Sequence, residues 1–369
     1  MQYICADCQK LYSIQDSRFR CTCGGTLFLK YSKKPVDFSS CQNGYDRSIW
    51  RFRDALPVLS PDSWRMVSLG EGGTPLVAIG QNVWGKADYL MPTLSFKDRG
   101  AVVLVSVMKD LGVRKAIADS SGNAGTAIAA YCARAGIACE VFVPESTSSK
   151  KIEQIVAHCA IVQRIPGSRE DTARAALDRV AQSGDFYASH IYNPLFWEGT
   201  KTYLYEVFEQ FRGRLPEALF IPVGNGTLLM GVSLALDELL EWGYIQKVPK
   251  LIAVQAANCA PLAKAFALGH QDYLTYPTSP TLAEGIASAE PARGKEILQA
   301  MRKHGGDFVI VTEDEILQAR DLLAHQGLYV ELTSAANYAG YRAYAENHPE
   351  LLTWESVLPL CGAGLKSSH

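Results

Sequence analysis

The sequence lacks a basic segment and an unbroken apolar one. Its 369 residues carry 36 Lys and Arg against 38 Asp and Glu, which gives a formal net charge of −2. A near-neutral chain without a basic cluster offers no electrostatic footprint for nucleic acid or anionic lipid. The longest uncharged apolar run, residues 218–236, is interrupted by Pro222, Gly224 and Gly226, which a membrane-spanning helix would avoid. We therefore expect no nucleic-acid partner and no membrane association.

We also expect no signal sequence, and the sequence shows little sign of internal repeats or low-complexity segments. It begins Met1-Gln2-Tyr3-Ile4-Cys5, without the basic start and apolar stretch of a secretory leader, so we expect a cytoplasmic protein. In that compartment the ten cysteines are expected to be metal ligands or core thiols rather than a disulfide framework. With 48% hydrophobic and 20% charged residues, the composition is that of a globular protein, and the length favours two or three domains.

Four of the cysteines form two closely spaced pairs near the N-terminus, Cys5 with Cys8 and Cys21 with Cys23. Two such pairs can supply four thiolates to one tetrahedral zinc ion. A module of about 30 residues buries too little apolar area to fold alone, so a structural metal is physically reasonable. We predict a zinc-ribbon-like module over residues 1–31. The single-residue spacer of the second pair is tighter than usual, and a metal-free ribbon is the alternative.

The pattern of the chain changes after an irregular connector at residues 32–69. Aromatic and aliphatic residues from Trp50 to Leu59 predict a short amphipathic helix within that connector. Beyond residue 70, short apolar runs alternate with helical stretches, which indicates an α/β fold with parallel sheets covered by helices. The predicted strands are residues 115–118, 139–143, 160–162, 218–221, 251–254 and 308–311, and the clearest helices are residues 126–135 and 228–242.

Two glycine-rich turns follow predicted strands, at the strand ends where ligands bind in parallel sheets. They comprise residues 119–126 and 222–227. Glycine permits close approach of the backbone, and the amide groups at the start of the next helix favour an anion. Neither turn matches GxGxxG or GxxxxGK[ST], which weighs against a dinucleotide or ATP site. Each turn alone is also compatible with a purely structural role.

One lysine stands out by its surroundings. Lys97 is followed by Asp98 and Arg99, as an ordinary surface charge would be, but Gly100 then opens an apolar helical segment. We therefore predict that Lys97 lies at a helix start and faces the cleft. A primary amine in such a place can lose its proton and attack an aldehyde, as Schiff-base chemistry requires.

Seven segments, in order and over nearly the whole chain, resemble the threonine synthases, which are pyridoxal-phosphate enzymes of fold type II. They are residues 69–76 (LGEGGTPL), 95–100 (SFKDRG), 120–125 (SSGNAG), 198–202 (EGTKT), 224–227 (GNGT), 329–336 (YVELTSAA) and 360–366 (LCGAGLK). The cysteine ribbon also occurs in one branch of threonine synthases and in the related cysteate synthases. The resemblance implies two α/β domains, a large one from residues 70–96 and 200–369 and a small mobile one from residues 97–199. It also implies a homodimer.

The resemblance further implies roles for individual residues. Lys97 would bind pyridoxal phosphate covalently and then act as the acid and base at the substrate carbons. Asn123 would hydrogen-bond the ring oxygen of the cofactor, while Ser121 and Gly122 would contact the substrate carboxylate. Cys361 would face the pyridine nitrogen. The cofactor phosphate would be held by Gly224, Asn225, Gly226 and Thr227.

The implied reaction is the conversion of O-phospho-L-homoserine and water to L-threonine and phosphate. Candidate ligands for the substrate phosphate are Ser146, Thr147, Lys150 and Asn193, with Ser148 beside them.

The sequence departs from the family pattern at Met91 and Leu94, where Asn and Gly are usual, and at Cys361, where Thr or Ser is usual. These departures keep open β-replacement or β-elimination on O-phosphoserine, serine or threonine, as in a cysteate synthase or a dehydratase. A non-enzymatic protein in which the ribbon is an interaction module is the third alternative.

Overall fold

The computed structural model of the protein describes residues 1–366, apart from the side chains of Gln42 and Asn43. The strands are β1 (Gln2–Cys5), β2 (Leu11–Ser13), β3 (Leu27–Lys30), β4 (Leu76–Gly80), β5 (Val83–Lys86), β6 (Lys115–Ala118), β7 (Ala138–Pro144), β8 (Ile161–Ile165), β9 (Phe186–Tyr187), β10 (Ala218–Pro222), β11 (Lys250–Ala256), β12 (Asp307–Val311) and β13 (Ser356–Pro359).

The α-helices are α1 (Phe38–Asn43), α2 (Pro61–Val67), α3 (Lys97–Asp110), α4 (Asn123–Ala135), α5 (Ser149–Ala157), α6 (Arg169–Ser183), α7 (Pro194–Thr200), α8 (Thr202–Gln210), α9 (Thr227–Glu241), α10 (Pro261–Ala267), α11 (Gly294–Lys303), α12 (Glu313–His325) and α13 (Leu332–Asn347). Short 3₁₀ helices cover Ile49–Ala55, Asp88–Leu90, Glu284–Ile286, Pro349–Leu352 and Gly364–Lys366. No helix within residues 1–366 has both the length and the apolar composition needed to cross a membrane.

The chain divides into two units, each built around its own sheet of wholly or mostly parallel strands. Among the described residues, the first unit consists of Met1–Gly72 and Lys97–Thr200, and the second of Gly73–Phe96 and residues 201–366. Strands and helices alternate in both units. The predicted α/β class with parallel sheets covered by helices is therefore confirmed.

The sheet of the first unit has the order β8-β7-β6-β9, and all its strands are parallel. The apolar run at residues 115–118 coincides with β6, and residues 139–143 lie within β7. The same unit carries a small antiparallel sheet of order β2-β1-β3, which is formed by the N-terminal cysteine module. This module packs on α7 through Phe28, whose ring lies edge-on to Trp197 at a centroid distance of 5.7 Å.

The sheet of the second unit has the order β12-β11-β10-β13-β5-β4, with β4 alone antiparallel to its neighbour. The three apolar runs predicted in this region lie within β10, β11 and β12. Apolar pattern did not predict β5 because it contains Lys86, a charged residue that is fully buried. The ammonium of Lys86 is 2.7 Å from the carboxylate of Glu206, which is also fully buried.

The connector contains the predicted short helix in a tighter form. It is a 3₁₀ helix over Ile49–Ala55, in which Trp50 and Phe52 are buried. The helix ends before Leu59, which is exposed. The indole of Trp50 donates a hydrogen bond to the buried carboxylate of Glu71 at 2.9 Å, and this contact fixes the connector onto the first unit.

Candidate active site

Lys97 is the first residue of α3, as the sequence predicted. Helices α3 and α7 meet at two glycines. A Cβ atom at Gly100 would lie 2.2 Å from the ring of Phe196, and one at Gly199 would lie 2.0 Å from the carbonyl oxygen of Arg99. This close crossing places the ammonium of Lys97 at 5.7 Å from the ring centroid of Phe196. The two glycines therefore allow the close helix contact that brings the ring of Phe196 near Lys97.

His190 belongs to the same surroundings, although the sequence analysis did not single it out. Its buried ring lies 5.9 Å from that of Phe196. Burial first, and then the positive charges of Lys97 and Arg169, lower the pKa of His190 well below its usual range. The imidazole is therefore neutral near pH 7. The available signal was its position three residues after β9, on the ligand-binding side of a parallel strand.

The Ser120 loop (residues 119–123) connects β6 to α4. Gly122 is the N-cap of α4 and provides no side chain to cap the helix, so the first amides of α4 are directed to the open end of the helix. The loop turns tightly, since a Cβ atom at Gly125 would lie 1.8 Å from the carbonyl oxygen of Ser120. Uncapped amides at the start of a helix favour a carboxylate or another anion.

Asp119 connects the start of this loop to β9. Its carboxylate accepts a hydrogen bond from the hydroxyl of Tyr187 at 2.8 Å. Burial raises the pKa of Asp119, and the charge of Arg169 opposes that rise. The buried hydrogen bond between Asp119 and Tyr187 therefore fixes the start of the Ser120 loop to β9.

The loops after β7, β6 and β9 lie along one edge of the sheet because these strands are parallel neighbours. This edge brings together the residues predicted to bind substrate in the first unit. Ser121 and Gly122 are half-buried there, while Ser146 and Lys150 are exposed and Thr147 is half-buried after β7. The hydroxyl of Ser148 is buried, with no hydrogen-bond partner among residues 1–366.

Asn193 differs from the other candidate substrate ligands because the protein already uses its side chain. Its Oδ1 accepts a hydrogen bond from the amide of Leu195 at 3.0 Å, at the start of α7. Its side chain also hydrogen-bonds the hydroxyl of Tyr3, whose pKa burial raises to about 12. Asn193 thus supports the local backbone and connects it to the cysteine module.

The second unit contributes the Gly224 loop (residues 222–227), which leads from β10 into α9. Gly226 has a φ of +72° and caps α9 without a side chain. A Cβ atom at Gly224 would lie 2.9 Å from the Cα of Ile286, so glycine is required for this close approach. The side chain of Asn225 accepts a hydrogen bond from Ser288 at 3.1 Å, so it is the backbone amides of the loop that suit an anion.

Cys361 follows β13, the parallel neighbour of β10, and therefore lies at the same sheet edge as the Gly224 loop. It is fully buried, and its sulfur lies 3.8 Å from the carbonyl oxygen of Pro359. The carbonyl of Cys361 accepts a hydrogen bond from the amide of Phe96 at 2.9 Å. The backbone that leads directly into Lys97 is thus fixed against Cys361.

Leu94 occupies a backbone conformation that favours glycine, with a φ of +61°. Its amide donates to the carbonyl of Met91 at 2.8 Å, which closes a turn around the buried side chain of Met91. This chain therefore forms the turn with leucine, at the expense of backbone strain.

These donor sets fit the groups of pyridoxal phosphate. In the second unit, uncapped amides at the start of a 15-residue helix suit a phosphate. In the first unit, Lys97 supplies the primary amine that an aldehyde requires. The hydroxyl of Ser95, two residues before Lys97, is buried and has no hydrogen-bond partner among the described residues, so it is available to a bound group.

The cysteine cluster (Cys5, Cys8, Cys21 and Cys23) fits a tetrahedral metal ion. Its four sulfur atoms lie within 4.8 Å of one another, and three of the S–S distances are 3.5 Å. Bonds of about 2.3 Å from zinc to sulfur place tetrahedral ligands about 3.8 Å apart. A backbone amide of Cys23 and then the hydroxyl of Tyr12 lower the pKa of Cys21 to about 5, which supplies a thiolate.

Comparison with known proteins gives two kinds of match. A family model described as "Pyridoxal-phosphate dependent enzyme" matches residues 67–362. The threonine synthase of Methanocaldococcus jannaschii is 32% identical over 358 residues, which cover 93% of this chain and 87% of that protein. The threonine synthase of Mycobacterium tuberculosis is 34% identical over 298 residues, which cover 78% of this chain and 80% of that protein.

Solved structures match the fold at lower identity. The processed form of threonine deaminase isoform 2 from Solanum lycopersicum has a TM-score of 0.70 and 24% identity, and the match covers 79% of each chain. The serine racemase of maize has a TM-score of 0.68 and 18% identity, covering 79% of this chain and 88% of that one. At these identities the likeness concerns the fold alone.

Proposed function

This chain belongs to the family of pyridoxal-phosphate dependent enzymes, and on that premise we propose that it is a threonine synthase. It converts O-phospho-L-homoserine and water to L-threonine and phosphate. The observation that carries this proposal is the match to several threonine synthases at 31–34% identity over most of the length of both chains. The alignment with the M. jannaschii enzyme covers 93% of this chain, so the relationship extends over nearly all of its length.

Pyridoxal phosphate, when bound, withdraws electrons from the α-carbon of an amino acid. The chain supplies the groups that bind it and move protons. The amine of Lys97 would hold the cofactor through its aldehyde and, once the substrate has taken its place there, would move protons at the substrate carbons. The amides of Gly224, Asn225 and Gly226, with Thr227, would hold the cofactor phosphate at the start of α9. By the resemblance, Asn123 would hydrogen-bond the ring oxygen of the cofactor, and Cys361 would face its ring nitrogen.

His190 assists by remaining uncharged. A second cation beside Lys97 would make proton uptake by either group less favourable. Burial of His190 beside Phe196 keeps the imidazole neutral, so that His190 adds no positive charge next to Lys97.

The substrate carboxylate binds to the amides of Ser121 and Gly122, at the uncapped end of α4. The substrate phosphate binds to Ser146, Thr147 and Lys150, which lie after β7 on the neighbouring loop of the same sheet edge. Asn193 acts indirectly, because its side chain is engaged by Leu195 and Tyr3. These contacts account for a substrate that carries an anion at each end.

The test is a direct assay of the purified protein with O-phosphohomoserine. We expect release of phosphate and threonine in equal amounts, together with the visible absorbance of the bound cofactor. Lys97→Ala is expected to abolish both the absorbance and the turnover. Lys247→Ala is the matched control, because Lys247 is an exposed lysine in the second unit. A colourless protein with stoichiometric zinc would instead favour a non-enzymatic scaffold.

A second candidate function keeps the cofactor and changes the chemistry at the β-carbon. The unusual residues Met91, Leu94 and Cys361 favour it, because they replace family residues beside the cofactor lysine and at the pyridine-nitrogen position. Incubation with O-phosphoserine and sulfite tests for β-replacement, and incubation with serine or threonine tests for β-elimination. Threonine as the sole product of the whole panel would eliminate this candidate.

The resemblance to the threonine synthases also supports three features of the whole protein. We propose that the enzyme is a homodimer, that it acts in the cytoplasm, and that residues 97–199 form a mobile small domain. Light scattering of the eluting protein tests the first feature and cell fractionation the second. Hydrogen exchange with and without substrate tests the third.

A further inference from the structure

An aromatic cluster joins the cysteine module to the loop after β9. The ring of Phe19 lies edge-on to that of Tyr187, with centroids 5.2 Å apart, and 5.5 Å from the ring of Tyr192. Arg20 stacks over the Tyr192 ring at 4.8 Å and donates a hydrogen bond to its hydroxyl at 2.9 Å. Three aromatic rings and one guanidinium thus form a continuous contact, and we term the three rings the aromatic bridge (Phe19, Tyr187 and Tyr192).

The bridge continues into the Ser120 loop through a buried hydrogen bond. Tyr187 is buried and donates its hydroxyl proton to the carboxylate of Asp119 at 2.8 Å. Strand β9 is also fixed to β6, since the amide of Ala188 donates to the carbonyl of Ile117 at 2.8 Å. Asp119 is the first residue of the Ser120 loop, so a displaced Tyr187 would release one end of the loop whose amides the site uses.

At the other end, the bridge depends on the cysteine cluster. Phe19 and Arg20 immediately precede Cys21, and residues 16–20 form neither strand nor helix. The sulfur of Cys21 is hydrogen-bonded to the hydroxyl of Tyr12 at 2.9 Å. It lies 3.5 Å from the sulfur of Cys8. The position of Cys21 within the cluster therefore sets the position of Phe19.

We propose that Phe19 and Tyr187 are positioning residues, which transmit the geometry of the cysteine cluster to the Ser120 loop. When a metal ion holds Cys21, the aromatic bridge holds Tyr187 against Asp119, and the loop presents its amides in one arrangement. When the metal is lost, that arrangement loosens and the affinity for the carboxylate of the substrate falls. The identity of the substrate rests on the proposed function, whereas the coupling itself rests on contacts within the first unit.

The chain offers a matched control for this route. Phe28 is a half-buried aromatic residue of the same module, and it packs edge-on against Trp197 on α7 rather than on the bridge. Phe28→Leu removes a comparable ring-to-ring contact without touching Tyr187 or Asp119. A general weakening of the cysteine module would affect both variants alike, whereas a specific route would distinguish them.

The primary measurement is hydrogen–deuterium exchange of the full-length holoenzyme, followed in fragments that cover residues 119–125. Phe19→Leu, Tyr187→Phe and removal of the metal by a chelator are each expected to raise exchange there by about fivefold, the effect of losing one hydrogen bond. Phe28→Leu is expected to leave exchange in this fragment within about twofold. The zinc content of Phe19→Leu should equal that of the unmodified protein, since its four cysteines are intact.

Kinetics provide a second readout. Tyr187→Phe and Phe19→Leu should raise KM severalfold and change kcat little. Phe19→Tyr keeps an aromatic ring at this position, and its KM should therefore equal that of the unmodified protein. Unchanged exchange at residues 119–125 in Phe19→Leu, or an equal rise in Phe28→Leu, would overturn the proposal. The exchange data do not depend on turnover. A protein that shows the coupling but makes no threonine would contradict the proposed function alone.

Discussion

The carbonyl oxygen of Leu94 accepts a hydrogen bond from the amide of Ala363 at 3.1 Å, while Leu94 itself has a φ of +61°. This left-handed conformation costs a residue with a side chain about 1–2 kcal/mol, and glycine is exempt. We expect Leu94→Gly to have a free energy of unfolding about 1 kcal/mol higher than that of Leu94→Ala. Both substitutions delete the leucine side chain, so their difference in urea unfolding isolates the backbone term. Equal stability of the two variants would show that the turn is relaxed.

The N-cap of α9 provides a second test, because Gly226 combines a φ of +72° with a crowded side. A Cβ atom there would lie 2.4 Å from the Cδ1 of Ile297. Gly243 follows the other end of α9 and has a φ of +75° with nothing within 4 Å. Gly226→Ala is expected to lower stability by about 1–3 kcal/mol and to weaken binding of pyridoxal phosphate at least tenfold. Gly243→Ala should show a smaller loss of stability and unchanged cofactor affinity in an equilibrium titration.

His190 predicts a specific pH dependence of stability. Its pKa in the folded protein lies below the usual value, because of burial first and the charges of Lys97 and Arg169 second. Below about pH 6.5 the unfolded chain takes up a proton that the folded protein does not, so the free energy of unfolding falls as the pH is lowered. The slope that His190 contributes approaches about 1.4 kcal/mol per pH unit.

Replacement of this histidine should remove that slope. We expect His190→Gln to flatten the dependence of urea midpoints on pH between about 5 and 6.5, relative to the unmodified protein. His270→Gln, at an exposed histidine, is the control and should leave the slope intact. If the urea midpoints of both variants depend on pH as those of the unmodified protein do, His190 is not the source of the slope.

The buried pair of Lys86 and Glu206 predicts strong non-additivity. Each side chain is fully buried, and Glu206 also accepts a hydrogen bond from the amide of Gly73 at 2.8 Å. Lys86→Met leaves a buried carboxylate without its counter-charge and is expected to lower stability by about 3–5 kcal/mol. Adding Glu206→Gln should recover part of that loss. The exposed pair of Lys303 and Asp237 is the control, with an expected effect below about 1 kcal/mol.

Metal content tests the cysteine cluster. We expect about one zinc ion per chain in protein purified without chelators. Cys8→Ser removes one of four ligands and should reduce the zinc content strongly, whereas Cys159→Ser, at an exposed cysteine outside the cluster, should not. Elemental analysis of both proteins gives the answer. Unchanged zinc in Cys8→Ser would place the metal elsewhere.

The sequence was sufficient to predict β10 and β11, two central strands of the second unit. Strands β10 and β11 are buried along nearly their whole length, so they appear as unbroken apolar runs. Strand β5 contains Lys86, whose charge is neutralised by a carboxylate 120 positions away, and no local pattern shows such a partner. Lys97 was predictable because a motif surrounds it.

The remaining features of the site depend on tertiary contacts. His190 is a single histidine without a motif, and only its distance to Phe196 and its burial reveal its state. Leu94 could be recognised as an unusual residue, but its left-handed backbone could not be predicted, because leucine ordinarily avoids that conformation. The aromatic bridge joins residues 168 positions apart, Phe19 and Tyr187, beyond the reach of any local pattern.

The crossing of α3 and α7 restricts how this enzyme can be redesigned. Neither Gly100 nor Gly199 has room for even a methyl group. The two helices are therefore held in close contact, with Lys97 at the start of α3. We expect libraries that randomise these two positions to consist largely of inactive members. Attempts to engineer acceptance of a new amino acid should instead diversify the segment after β7, which contributes no residue to the crossing of α3 and α7.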